Sequence, residues 1–173
     1  MAQCLPIAPP GRCFGHYDAV IDTPIPGVAL GMHWRQGAVV GIDFLPDQCH
    51  RFVADDDALY GAVNQLKAYF ADACSAPAIP IELRGSDFQR RVWQAIRSVP
   101  VGSVVTYAEL AKHLDSSPRA IGGACGRNPV PVIVPCHRVV ASTGIGGFSA
   151  ALVDRQIDIK RWLLEHERHV CPG

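Results

Sequence analysis

Between residues 86 and 126 the chain marks its own helix boundaries closely enough to restrict the fold. Ser86 stands three residues before Gln89, and Thr106 three before Glu109. In that spacing a hydroxyl and a carboxyl or amide cap each other's backbone N–H groups at a helix start. Ser117-Pro118 is a third start, an N-cap followed by proline at the first helical position. Pro100-Val101-Gly102 stops the first helix, and its Phe88, Val92, Ile96 and Val99 line one side at helical spacing. Tyr107 to Leu114, the turn at Asp115-Ser116, and Pro118 to about Gly126 then read as two short helices joined tightly, a helix-turn-helix.

The first half has a different texture. "GVALGMHW", Arg35-Gln36-Gly37 and "AVVGIDFL" read as two apolar strands around a glycine turn. Asp55 to Asp57 precede Leu59, Val63, Leu66 and Phe70, which recur at the period of one amphipathic helix behind acidic N-terminal residues. Pro77 and Pro80 in "CSAPAIPIEL" allow a short edge strand and no helix interior. The expected fold is α+β in two domains. Residues 1–82 form a strand-and-helix structural domain, and residues 83–173 a mainly helical, winged-helix-like domain with the helix-turn-helix.

Apolar residues make up 49% of the chain, enough for a core and an argument against disorder. No run approaches the roughly 18 apolar residues of a membrane span, and "MAQCLPIAPPGRC" lacks the pattern of a signal peptide, so a cytoplasmic protein is expected. Seven cysteines without a Cys-x-x-Cys pair favour neither a disulfide framework nor a zinc ribbon, and most are expected as reduced thiols. Residues 1–80 carry 4 Lys and Arg against 8 Asp and Glu, whereas residues 81–173 carry 12 against 8. A polyanion partner for the basic half and a chance imbalance of solvated faces both account for this asymmetry.

Two stretches call for more than packing. "PRAIGGACG" spends three glycines in nine residues of a helix, each costing about 1 kcal/mol relative to alanine. Close packing on another helix or the close approach of a partner surface, such as a nucleic-acid groove, would compensate. With Arg119 as its long cationic side chain, such a helix reads few base edges and binds largely without regard to sequence. "VPCHRVV" puts Cys136 beside His137 and Arg138, a base and a positive charge, either of which helps a thiol of pKa about 8.5 to react as thiolate. On an extended strand these neighbours would face opposite ways, and the heptapeptide alone also fits a buried structural cysteine.

Taken together, "TYAELA", "RAIGGACGRNPVPVIVPCHRVV", "GGFS" and "KRWLLEHE" resemble the O6-alkylguanine-DNA alkyltransferase family, from about Phe88 to Glu167. The first half is similar to that family only in size and strand-then-helix order. The resemblance implies irreversible, once-per-molecule transfer of an alkyl group from O6-alkylguanine, and from O4-alkylthymine, to Cys136. His137 then matches the base acting through a water, Glu167 the carboxylate orienting it, and Asn128 the brace of the adjoining turn. Tyr107 matches the phenol that donates to the departing guanine. Val139, Val140, Ser149 and Cys125 match the guanine pocket.

The implied partner is double-stranded DNA, bound in the minor groove by Thr106, Arg119, Ala120, Gly122, Gly123 and Arg127, with the damaged base extruded and Arg119 in the gap. A monomer is implied, with cooperative binding left open; the compartment becomes the nucleus if the source is eukaryotic. After "GGFS" the family continues with Gly-Gly and a short link, whereas here Ala150-Ala151 precede the longer "LVDRQIDIK", a departure at the pocket rim. Cys4, Cys13, His16, His33, Cys49 and His50 follow no tetrahedral spacing, so neither a metal nor a cofactor is expected. Two other classes compete: a lesion-binding protein without an acceptor cysteine, and a thiol hydrolase using Cys136, His137 and Glu167.

Overall fold

The computed structural model describes residues 16–147 and 153–170. The chain divides into two compact units, Met1–Glu82 and Leu83–Gly173.

In the first unit β1 (Ala19–Asp22), β2 (Val28–Arg35), β3 (Ala38–Pro46) and β4 (Phe52–Val53) form one sheet in the order β3-β2-β1-β4. The β2–β3 pair is antiparallel and turns through Gln36 and Gly37, both at positive φ (49° and 82°), the geometry that matches strand twist. Ile81 bridges Val39 on the outer edge of β3, in the stretch where the prolines allow an edge strand and nothing longer. Helix α1 (Asp57–Ala71) is capped by Asp56, whose side chain accepts from the Leu59 N–H at 2.8 Å. It buries Leu59, Ala62, Val63, Leu66, Tyr69 and Phe70.

Cysteine chemistry departs from the expectation of mostly reduced thiols. Among the described residues Cys125 and Cys136 are free, whereas Cys49 and Cys74 are disulfide-bonded.

The second unit begins with α2 (Asp87–Arg97), capped reciprocally by Ser86 and Gln89. It buries Val92, Trp93 and Ile96. Trp93 donates its Nε1–H to the Ala124 carbonyl at 2.9 Å, tying α2 to the end of α4 (Pro118–Cys125). Thr106 and Glu109 cap α3 (Tyr107–His113) in the same reciprocal way, and the turn into α4 passes through Asp115 at φ 48°. Strand β5 (Val105–Thr106) pairs in parallel with β6 (Val139–Val140), so the start of α3 lies beside the segment that follows Cys136. Helix α5 (Val153–Val170) closes the unit, with Ile159, Lys160, Leu163 and Glu167 buried.

Candidate active site

The valine-rich run around Cys136 is not a strand. Pro135 precedes a single 3-10 turn, Cys136–Arg138, closed by the Arg138 N–H bonding the Pro135 carbonyl at 2.9 Å. Strand pairing starts only at Val139. With about three residues per turn, Cys136, His137 and Arg138 point in three directions, so His137 and Arg138 need not face opposite ways as on a strand. Cys136 is 5% exposed and His137 fully buried.

Asn128 holds the thiol. Its Oδ1 accepts from the Val130 N–H at 3.1 Å, closing a local turn. Its Nδ2 donates to the Val134 carbonyl at 2.8 Å and to Cys136 Sγ at 3.1 Å. Between Asn128 and Val134 the buried Val132 is held at φ 74°, a costly conformation for a β-branched residue. Burial pushes the Cys136 thiol pKa up, against the hydrogen bond from Asn128 and the charge of Lys160, which pull it down.

Behind the thiol lies a buried ionic network. His137 Nε2 meets Glu167 Oε1 at 2.8 Å, and Arg138 donates Nε–H to Oε2 at 2.9 Å and Nη2–H to Oε1 at 2.8 Å. The Gly102 N–H adds a fourth bond at 3.3 Å, and Arg138 Nη1 donates to the Val99 carbonyl at 2.6 Å. Burial alone would raise the Glu167 pKa, but hydrogen bonds from His137 and Arg138 outweigh it and hold the group well below the usual carboxylate range. The ionised carboxylate therefore fixes the proton of neutral His137 on Nε2. His137 Nδ1, left as the acceptor nitrogen, is buried without a partner. Burial lowers the His137 pKa more than Glu167 raises it, so the ring rests neutral.

Arg138 thus serves the carboxylate and not the thiol. The cation acting on the thiol is Lys160, which the sequence reading passed over. Lys160 is fully buried, donates to the Val139 carbonyl at 2.7 Å and the Gly147 carbonyl at 3.0 Å, and stands 5.8 Å over the Tyr107 ring. Burial lowers its pKa to about 8. A lysine seven residues before Glu167, on the same face of a helix whose neighbours are Ile159 and Leu163, was the available signal.

Tyr107 Oη–H donates to the same Gly147 carbonyl at 2.9 Å, and burial, ahead of the nearby Cys125 and Cys136, raises its pKa, so it stays protonated. Gly146, at φ 71°, lies so close that an added Cβ would come within 3.0 Å of the Tyr107 ring. Cys125 ends α4, half-buried; its carbonyl accepts the Asn128 N–H at 3.1 Å, and burial lifts its thiol pKa to about 12. Val139 is buried and Val140 half-buried. Ser149 lies outside the described residues.

Of the expected DNA-facing residues, Arg119, Ala120, Gly122 and Gly123 lie on α4, Thr106 is the N-cap of α3, and Arg127 follows the end of α4. Arg119 and Arg127 are exposed and Ala120, Gly122 and Gly123 half-buried; Thr106 is engaged in its cap. Arg119, Arg127, Ser117 and Ser86 line one open cleft of about 460 Å³ between the start of α2 and α4, and Cys136 is not among its lining residues. A Cβ on Gly122 would meet nothing nearer than the Tyr107 ring at 4.0 Å, and one on Gly123 nothing nearer than the Arg127 guanidinium at 3.4 Å. Packing within the protein therefore does not require either glycine. Of the metal-ligand types considered in the sequence, His33 bonds Asp43 at 3.1 Å; Cys4 and Cys13 lie outside the described residues.

Residues 87–169 match the family described as 6-O-methylguanine DNA methyltransferase, DNA binding domain. Over 167 residues the chain is 37% identical to the methylated-DNA--protein-cysteine methyltransferase of Mycobacterium tuberculosis, covering 91% of this chain and 95% of that one. The crystal structure of M. tuberculosis O6-methylguanine methyltransferase matches with a TM-score of 0.74 at 35% identity, over 89% of this chain and 93% of that chain. The M. tuberculosis protein in complex with DNA matches with a TM-score of 0.69 at 35% identity, over 89% and 94% of the two chains.

Proposed function

The chain belongs to the 6-O-methylguanine DNA methyltransferase family, and from that premise we propose that Cys136 is the residue onto which it takes alkyl groups from O6-alkylguanine in DNA. The observation that carries this reading is a buried thiol held by Asn128, followed in the same 3-10 turn by a buried His137 coupled to Glu167. The chain binds DNA and acts as a methyltransferase whose acceptor is its own cysteine.

The displacement needs a thiolate, and the resting thiol is protonated. His137 Nδ1 is the unpartnered base that takes the proton, relayed by a water, and Glu167 holds the resulting imidazolium. The sulfur attacks the alkyl carbon, the S–C bond forms as the C–O6 bond breaks, and the guanine leaves with the bonding pair. Lys160 and Asn128 favour the sulfur anion up to that point. Tyr107 then donates to the departing base. Its hydroxyl must first leave the Gly147 carbonyl, which Lys160 still satisfies. A thioether offers no leaving group for a second displacement, so each molecule acts once. O4-alkylthymine presents the same alkyl–oxygen bond and belongs to the same substrate class.

A base stacked in duplex cannot reach a thiol that is 5% exposed, so the lesion is turned out of the helix. Arg119, long and exposed at the start of α4, fills the gap it leaves. Glycines that nothing inside the protein requires support a minor-groove approach by α4, with Ala120, Gly122 and Gly123 nearest the DNA and Thr106 and Arg127 at the flanks. The protein acts as a monomer in the compartment that holds the DNA, the cytoplasm in a bacterium. The displacement as written draws on side chains alone.

Intact mass after mixing with a duplex carrying O6-methylguanine tests this. One methyl group per molecule, mapped to the Cys136 peptide and lost in Cys136→Ala, is the expected result. Methylation elsewhere, or many turnovers on a small ester, would move the assignment to another residue or to a thiol hydrolase.

A further inference from the structure

The longer segment before Lys160 is described from Val153 onward. Val153 to Lys160 are helical, so α5 starts about two turns before Lys160. Gln156, Lys160, Leu163 and Glu167, spaced by four, three and four, fall on one stripe of that helix. Two members of the stripe are anchored at the site. Glu167 grips His137 and Arg138, and Lys160 bonds the carbonyls of Val139 and Gly147, the latter shared with Tyr107. The stripe therefore runs from the histidine toward the pocket rim, and Gln156 comes one turn beyond Lys160, with about 5–6 Å between Cβ atoms.

Among the described residues two buried side-chain polar atoms have no hydrogen-bond partner, His137 Nδ1 and Gln156 Oε1. The first is the base of the reaction. A buried carbonyl oxygen left unpaired destabilises a fold, and its persistence calls for a ligand that supplies the missing donor. Resting on the transfer reading above, we infer that Gln156 is a specificity-determining residue of the alkyl-acceptor pocket, its amide oxygen accepting a hydrogen bond from a donor carried by the lesion. Two donors qualify. An O6-alkylated guanine has no N1–H and keeps its exocyclic amine, and some alkyl groups carry a terminal hydroxyl.

The test uses the full chain and Gln156→Met, which keeps length and helix propensity and removes the amide. Transfer rates are measured on two matched pairs in the same duplex: O6-methylguanine against O6-methylhypoxanthine, which lacks the amine, and O6-(2-hydroxyethyl)guanine against O6-propylguanine. The natural protein should favour the donor-bearing member of one pair about fivefold more than the variant does, the effect of one neutral hydrogen bond. The first pair identifies the base amine as donor, the second the alkyl hydroxyl. Equal ratios in both proteins for both pairs overturn the proposal. Gln156→Met should also melt no lower than the natural protein, since it removes an unpaired acceptor; a clear loss of stability means that the oxygen is already satisfied, and overturns it too. Absence of transfer in the natural protein would fail the reading of function itself, a different result from normal transfer with unaltered ratios.

Discussion

Gly123→Ala separates what the protein needs from what its partner needs. Gly123 lies inside α4, where replacing glycine by alanine in a helix interior is worth about 0.8–1.0 kcal/mol. The new methyl meets nothing nearer than the tip of Arg127 at 3.4 Å, a flexible neighbour able to move, so no steric loss offsets the gain. Such a gain raises the melting temperature by about 4–8 °C if the second unit unfolds alone and about 2–4 °C if the whole chain unfolds together. If α4 lies against DNA, the same methyl stands in the closest contact and should weaken duplex binding about tenfold, or ~1.4 kcal/mol. Thermal melting and fluorescence anisotropy with a lesion-containing duplex measure the two effects. Reaction with free O6-methylguanine, which needs no groove, serves as the control and should be unchanged. A variant that is more stable and binds duplex as tightly as the natural protein would refute the minor-groove role of this helix.

Glu167→Gln should cost about 3–5 kcal/mol in urea unfolding at neutral pH, because it leaves the buried Arg138 without its carboxylate. The native Glu167 pKa is depressed, so its contribution is complete above the ordinary value of 4.5 and is lost as pH falls through the folded value; the gap between the two proteins should narrow only below pH 4.5. With His137 as the proposed base, the acid limb of the transfer rate should have its midpoint below 6.5, since burial lowers the His137 pKa; a midpoint above 6.5 in single-turnover kinetics would remove His137 from that role. Arg119→Ala should slow repair in duplex far more than reaction with the free modified base, whereas Tyr107→Phe should slow both; equal losses for Arg119→Ala on the two substrates contradict extrusion.

What could be read from the chain was whatever is decided within a few residues. The reciprocal caps at Ser86–Gln89 and Thr106–Glu109, Ser117 before Pro118, and the hairpin turn at Gln36-Gly37 all depend on neighbours three or fewer positions apart, and all appear as read. Trp93 was passed over because its partner, the Ala124 carbonyl, lies 31 residues away. Lys160 escaped for the same reason, its acceptors lying 21 and 13 residues back. Arg138 was seen but given to the wrong partner. Valines on both sides of "PCHR" suggest a strand, and β-branched content cannot reveal that Pro135 begins a tight turn. That turn frees Arg138 and His137 from opposite faces, so both reach Glu167 on α5.

The site also bears on when the thiol becomes reactive. Burial raises the Cys136 pKa, lowers that of His137 and lowers that of Lys160, and all three shifts favour uncharged groups. The resting pair is therefore thiol and imidazole, not thiolate and imidazolium, and the free protein holds Cys136 in the less reactive form. For a cysteine that can be used once, that matters, because a permanent thiolate would be open to any electrophile or oxidant. The groups that favour the anion are Asn128 at 3.1 Å and the charge on Lys160, both fixed before substrate arrives. Under the proposed mechanism the step still to come is proton transfer to His137 Nδ1, a nitrogen buried with no partner. Under the transfer mechanism proposed above, an extruded base and a relay water would complete that path together, and the chemistry that consumes the protein would start only with a lesion in place.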